Sequence, residues 1–244
     1  MEPAVMIDLR DISKSFGNEE VLRNVSFSLS GNETLSILGK SGSGKTTLLK
    51  IIAGLIEDYS GTIHHNGEPV DHLKPRERGM VYLYQEPLLF PHLTVSENIG
   101  FGLKIQGYNE NVIREKTGEM VERLHIKGQE KKYPHQLSGG QKQRVAFGRA
   151  FIIHPRVLLL DEPFGSLDPE TRSEMQQLFV EISASEQITT MFVTHDLKEA
   201  LITGTRFGMM VNGSLKVYET HEYFISDAET GVQDELSFWT GLTR

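Results

Sequence analysis

Gly39-Lys40-Ser41-Gly42-Ser43-Gly44-Lys45-Thr46 is the stretch on which the reading of this chain turns. It follows the apolar run at residues 34–38 and leads into helix formers at 45–52, giving the order strand, Gly-rich loop, helix. Glycines at these spacings let successive backbone N–H groups point into one cavity, and the helix N-terminus adds its positive end. Lys45 is placed to neutralise outer phosphates and the Thr46 hydroxyl to ligate Mg²⁺. Every fixed position of a phosphate-binding loop is matched, and both flanks carry the secondary structure such a loop needs.

Outward from the loop, residues 157–160 form a continuous apolar run that ends in Asp161 and Glu162. A strand covered on both faces would hold Asp161 rigidly, where it can retain a Mg²⁺-bound water, and the next carboxylate could activate an attacking water as general base. Two acids after an apolar run can also complement a helix dipole. Paired with the loop, the metal reading is the stronger. Residues 189–193 read as another buried strand, and Met175, Leu178, Phe179 and Ile182 fall on one helical face between the two, a parallel crossover unit. Residues 5–12 and 21–29 read as strands turning through Gly17 and Asn18, and residues 206–211 and 215–218 as strands turning at Asn212 and Gly213. Between about residues 86 and 154 the texture is helical: Ile113, Met120, Val121 and Leu124 keep one spacing, and Ala146, Ala150 and Ile153 another. The predicted class is α/β, a P-loop core with a mainly parallel sheet, an N-terminal antiparallel β subdomain and an inserted helical subdomain.

Composition narrows the chemistry. The chain has no cysteine, which excludes a thiolate nucleophile or thiolate metal site. A net charge of −8 over 244 residues argues against nucleic acid as a partner, since binding by counterion release needs a basic surface. No stretch approaches the roughly 18–20 apolar residues that span a bilayer, and the N-terminus has no export signal. There is no internal repeat, so one folding unit over residues 1–244 is expected.

Leu137-Ser138-Gly139-Gly140-Gln141 is a second Ser/Gly cluster at a helix start, with a hydroxyl, backbone donors and a dipole. From physics alone, an N-cap serving only its helix is the simpler reading. In combination these motifs resemble the ATP-binding subunit of an ABC (ATP-binding cassette) transporter, with every family motif in order between residues 7 and 218. The 39–46 loop looks like the Walker A motif, residues 158–162 the Walker B strand and residues 137–141 the signature motif. Gln85 stands at the Q-loop position, Ser166-Leu167-Asp168 at the D-loop and His195 at the switch histidine.

The resemblance implies an ATPase using ATP and Mg²⁺. Gly39, Lys40, Ser41, Gly42, Ser43, Gly44, Lys45, Thr46 and Thr47 would hold the nucleotide, with Phe16 stacking on adenine and Thr46, Gln85 and Asp161 serving the metal. Glu162, His195 and Gln85 would be catalytic. Two copies would pack head to tail as a homodimer, so that Ser138, Gly139, Gly140, Gln141 and Asp168 of one reach the ATP held by the other. Taken singly, Gln85 is a loop residue, Phe16 strand-end packing and His195 a surface or capping histidine.

The segment from Leu89 through Phe90-Pro91-His92 to Ile99 is similar to that of bacterial importer ATPases for small polar solutes. That implies transmembrane permease subunits as partners, a solute-binding protein indirectly, and a cytoplasmic location peripheral to the inner face of the membrane. Leu88, Leu89, Phe90 and Leu93 are expected in an exposed apolar patch, or else packed within the helical subdomain. The rival within the family is a soluble ATPase such as an iron-sulfur assembly scaffold. The chain departs from the pattern at Phe16, where tyrosine is commoner, and at Glu86-Pro87 after Gln85. Maltose-type importers continue into a β-barrel regulatory domain, which is not expected here, and a short helix packing on the core is expected in the tail from 226 to 244.

Overall fold

Alternation of apolar and polar residues makes β1 (Val5–Phe16) a strand that buries Ile7 and Leu9. Asp11, at φ 54, sits in a bulge that shifts the alternation by one and turns Ile12 and Lys14 inward. After a turn at Gly17, β2 (Glu19–Ser30) returns antiparallel, with Phe16 opposite Glu19. Both strands run past the apolar stretches read from sequence, because their polar hairpin end pairs as a ribbon without burying an apolar face.

In the computed structural model residues 5–235 and 237 are described. They fall into two units, one formed by the chain up to 78 together with that from 189 on, the other by 79–188.

In the first unit β3 (Thr34–Leu38) is buried at every position and feeds α1 (Lys45–Ile52). β4 (Ser60–His65) and β5 (Glu68–Pro69) complete an antiparallel sheet ordered β2-β1-β4-β5. The far end of α1 is closed by Arg78, which is 1% exposed. Its guanidinium donates to the carbonyls of Ile51 (2.9 Å) and Ile52 (3.0 Å) in the last turn of α1, and to those of Leu73 (3.2 Å) and Asp71 (3.3 Å). A buried cation on a helix C-terminus satisfies carbonyls the helix cannot and complements its dipole. Gly54 (φ 77) makes the room: a Cβ there would lie 2.6 Å from Arg78 Nε. Arg78→Met keeps the apolar stem but takes the guanidinium from these carbonyls, of which that of Ile51 still accepts the Gly54 amide at 3.0 Å, so urea unfolding should show a loss of about 3 kcal/mol. A loss under about 1 kcal/mol would mean that the guanidinium does not hold α1 closed.

The second unit opens with β6 (Met80–Leu83), a short strand not anticipated from the sequence. The helical texture resolves into α2 (Val95–Ile105), α3 (Glu110–Arg123) and α4 (Gly139–Phe151). Gly107, at φ 81, breaks the first two apart, and Asn109 caps the second through the Val112 amide. Leu124 is the C-cap of α3, and Ile153 lies beyond the end of α4. β7 (Val157–Asp161) is buried throughout and pairs parallel with β6. α5 (Pro169–Ser185) buries Met175, Leu178, Phe179 and Ile182, the face expected.

The chain then returns to the first unit. β8 (Thr189–Thr194) pairs parallel with β3, α6 (Leu197–Thr203) follows, and β9 (Arg206–Val211) pairs parallel with β3 on its other side. β10 (Ser214–Tyr218) turns back at Asn212 and Gly213 to pair antiparallel with β9. Phe224 of α7 (His221–Ser226) and Val232 pack with Leu38, Leu197, Ala200 and Phe207. The beginning of the tail thus does dock on the core; Phe238 and Trp239 lie outside the described residues. Among the described residues no helix is long and apolar enough to cross a membrane.

Candidate functional site

Parallel pairing aligns the strand ends in each unit. In the first, Leu38 is level with Thr194, so the 39–46 loop and His195 leave neighbouring strands at the same, carboxyl end. In the second, Leu83 is level with Leu160, and Gln85 and Glu162 each stand two residues further on. Carboxyl ends of parallel strands are where open α/β sheets place ligands.

The loop is wound too tightly for any residue but glycine at two points. A Cβ on Gly39 would lie 2.6 Å from the Met210 carbonyl oxygen, and one on Gly44 2.8 Å from that of Val21. Gly44 is the N-cap of α1 at φ 108, so no side chain caps the helix, and its first turn holds no acidic residue. A helix start of this composition favours an anion. Lys45, 4% exposed, donates from Nζ to the carbonyls of Gly39 (2.7 Å) and Lys40 (3.1 Å), bridging the loop. The Ser43 hydroxyl is buried without a hydrogen-bond partner, the condition of a group that a ligand oxygen would satisfy. Lys40, Ser41, Gly42 and Thr46 face solvent and Thr47 is half-buried. The orphaned hydroxyl, the uncapped helix and the glycine cradle together fit a phosphate chain.

Phe16 pairs with Glu19 at the hairpin end two residues before Val21, whose carbonyl abuts Gly44, so the hairpin stands beside the loop. It is 51% exposed, which removes the strand-end packing alternative, and the Lys14 ammonium lies 4.8 Å from its ring centroid. His195 is exposed; its backbone is fixed by the Thr194 hydroxyl, which accepts from the Asp196 amide at 3.0 Å and donates to the buried Glu199 at 2.7 Å.

In the second unit Asp161 closes β7, 7% exposed, and accepts a hydrogen bond from the Tyr82 hydroxyl at 2.6 Å. Burial pushes that hydroxyl far above its ordinary pKa, and the bond to the carboxylate adds to the shift, so it remains a donor. Glu162 takes the left-handed conformation, φ 44. A Cβ on Gly165 would sit 3.4 Å from Gln85 Nε2 and 4.0 Å from Glu162 Oε2, so the amide and the carboxylate flank one small residue. The turn after Glu162 is gripped by α4: Gln143 Nε2 donates to the Pro163 carbonyl at 2.7 Å, and Phe147 stacks on Phe164 at 5.7 Å.

Ser138 caps α4 in a reciprocal box. Its Oγ accepts from the Gln141 amide at 3.2 Å, and its own amide donates to Gln141 Oε1 at 3.0 Å. The helix-serving role read from physics is therefore present. Gly140 lies against α5, where its Cβ would be 2.4 Å from Thr171 Cγ2. Thr171 in turn gives its amide to Asp168 at 3.0 Å, the N-cap of α5, and the backbone and side-chain hydrogen bonds from Thr171 hold that carboxyl below its usual pKa. Residues 138–141 and Asp168 are thus brought together through Thr171.

Of the expected apolar patch Leu88 is 54% exposed while Leu89, Phe90 and Leu93 are half-buried, and Tyr84 at 38% and Tyr108 at 47% are exposed as well. Phe90 packs on Phe101 at 4.4 Å, and Asn98 holds the segment by accepting from the Phe90 amide and donating to its carbonyl. Both readings of the segment apply, to different residues. Tyr82, Gln143 and Gly165 were not singled out by sequence. The one signal for them is the run Val81-Tyr82-Leu83-Tyr84, rich in aromatic residues, of which the first three belong to β6.

The ABC transporter family profile matches residues 22–165, more than half of the chain. The chain is 42% identical over 222 residues to the spermidine/putrescine import ATP-binding protein PotA of Acetivibrio thermocellus, covering 91% of this chain and 63% of that protein. It is 41% identical over 214 residues to the sulfate/thiosulfate import ATP-binding protein CysA of Escherichia coli, covering 86% and 59%. The chain therefore spans about three fifths of the length of these curated relatives. Among solved structures it resembles cbiO1 from Clostridium perfringens, described as part of the ABC transporter complex cbiONQ, with a TM-score of 0.82 at 26% identity, over 95% of this chain and 94% of that one. With a glycine-bound anion cradle, an acid pair at a buried strand end and a Ser-Gly-Gly helix start all present in one α/β fold, the chain belongs to the ABC transporter family.

Proposed function

We propose that this chain is the ATP-binding and ATP-hydrolysing subunit of an ABC transporter, an importer of small polar solutes, with residues 1–244 acting as its ATP-binding domain. The observation that carries the reading is the alignment of strand ends: the loop with His195 in one unit, and Gln85 with Asp161 and Glu162 in the other, each at the carboxyl end of a parallel pair.

The roles follow from the chemistry of the groups. Lys45 and the start of α1 neutralise the phosphate chain, and Phe16 offers its ring to the adenine. Mg²⁺, when bound, screens charge on the outer phosphates and fixes their geometry; Thr46, Gln85 and Asp161 are the residues to hold it. Glu162 accepts the proton of the attacking water, and His195 donates to the terminal phosphate. Residues 138–141 and Asp168 act on the nucleotide of a second copy. Productive hydrolysis then needs a head-to-tail homodimer.

The exposed Leu88, in a segment with the half-buried Leu89, Phe90 and Leu93, supports a permease contact, which would place the subunit at the inner face of the membrane with a solute-binding protein acting on the far side. The relatives with near-equal identity are named for a polyamine and for a sulfate, a cation and an anion. That favours cargo selection by the partner subunits rather than by this chain.

Dimerisation is the discriminating test. Gly139 is exposed and a Cβ there would meet nothing within 4 Å, so Gly139→Arg leaves the capping box and the monomer intact. In the Glu162→Gln background, light scattering with ATP and Mg²⁺ should show a dimer, and adding Gly139→Arg should return it to monomer with ATP affinity retained. A Gly139→Arg form that still dimerises with ATP would refute the in-trans assignment.

A further inference from the structure

Tyr82 sits opposite Leu159 in the parallel pairing of β6 with β7. Leu159 and Asp161 lie on the same face of β7, since side chains alternate along a strand. A long side chain at position 82 can therefore reach forward along that face to the end of the neighbouring strand, and the 2.6 Å bond to Asp161 Oδ2 shows that it does. The ring also packs edge-on against Tyr84 at a centroid distance of 4.6 Å. Asp161 is buried, so its carboxylate has little water to orient it and takes its orientation from fixed donors.

We propose that Tyr82 is the positioning residue for Asp161: its hydroxyl holds Oδ2 and fixes the carboxylate rotamer in which Asp161 would meet the nucleotide-bound metal. This rests on the reading of Asp161 as a metal-holding residue. It is the same service that an outer carboxylate or carbonyl performs for a metal-bound histidine, delivered here by a phenol to a carboxylate. A preset carboxylate raises affinity for the metal–nucleotide complex without touching the nucleotide, so the effect appears in the metal dependence.

The test is Tyr82→Phe, which keeps the ring and its contact with Tyr84 and removes only the donor. Mn²⁺ titrated against the protein with a non-hydrolysable ATP analogue, followed by electron paramagnetic resonance, should bind about tenfold more weakly, the scale of one hydrogen bond to a charged group. Affinity for the analogue in EDTA should not change, while the thermal midpoint of the metal-free, nucleotide-free protein should fall by a few degrees, since the buried carboxylate loses a donor. Mg²⁺-dependent ATPase activity should show the same shift in half-saturating metal with KM for ATP at saturating Mg²⁺ within about twofold, since one bond is lost and nothing else. In an Asp161→Asn background the substitution should add nothing, because the acceptor charge it serves is gone.

An unchanged metal dependence in Tyr82→Phe, beside a shift in Asp161→Asn, overturns the inference and leaves the site reading standing. So does an equal shift in the presence and absence of Asp161, which would make Tyr82 a packing residue. Unchanged metal dependence in Asp161→Asn itself removes the site reading on which the inference rests. Tyr82→Leu removes ring and donor together; it should lower the thermal midpoint yet shift the metal dependence no further than Phe, and a larger shift would assign the effect to the ring.

Discussion

Glu162→Gln is expected to bind ATP as the unaltered chain does and to turn it over about a thousandfold more slowly, inside the range for loss of a general base. The side chain keeps its length and shape, but an amide cannot take a proton from water. The backbone makes the substitution clean. Glu162 is held at φ 44, a conformation that costs a non-glycine residue about 1 kcal/mol and persists only when its surroundings impose it. They do so from both sides: β7 is buried at every position before it, and Gln143, Phe147 and Phe164 clamp the turn after it. Glutamine inherits that frame unchanged. Single-turnover hydrolysis beside equilibrium binding checks the expectation, and turnover within about tenfold of normal would take Glu162 out of the base role.

Lys45→Ala should weaken ATP binding by about a hundredfold, from the loss of roughly 2.7 kcal/mol of charge-assisted bonding. The ammonium is buried and already bridges the carbonyls of Gly39 and Lys40, so it is pre-placed at the loop rather than recruited from solvent. Its removal deletes the positive charge proposed to face the phosphates and the bridge that ties the loop together. Because both effects act on the same equilibrium, the loss should exceed that from Thr46→Ala, whose side chain is exposed and carries no charge. Fluorescent-nucleotide titration reads both, and unchanged affinity in Lys45→Ala would count against the loop as the nucleotide site.

The sequence was most legible where physics is local. The 39–46 loop, the buried strands at β3, β7 and β8, and the apolar face of α5 all stand where pattern alone put them, because burial on both faces and helical periodicity leave direct marks in residue type. β6 was missed because four residues carry too little periodicity, and with it went the parallel pairing that sets Gln85 level with Glu162. Tyr82, Gln143 and Arg78 were invisible for a related reason: each matters through a partner far along the chain, 79 residues away for Tyr82 and 20 for Gln143. The alternatives left open at Phe16 and Ser138 turned on exposure and on hydrogen-bond direction, which composition does not encode.

That direction has one further consequence at Ser138. In the capping box both side chains serve as acceptors, Oγ from the Gln141 amide and Oε1 from the Ser138 amide. The hydroxyl proton of Ser138 and the amide protons of Gln141 are not used by the box. A phosphate, which can only accept, asks for those protons and nothing else. If the proposed contact with a second copy's nucleotide is made, capping the helix and meeting that phosphate are not rival duties of one serine: the box already sets both side-chain rotamers, which leaves less ordering entropy to lose.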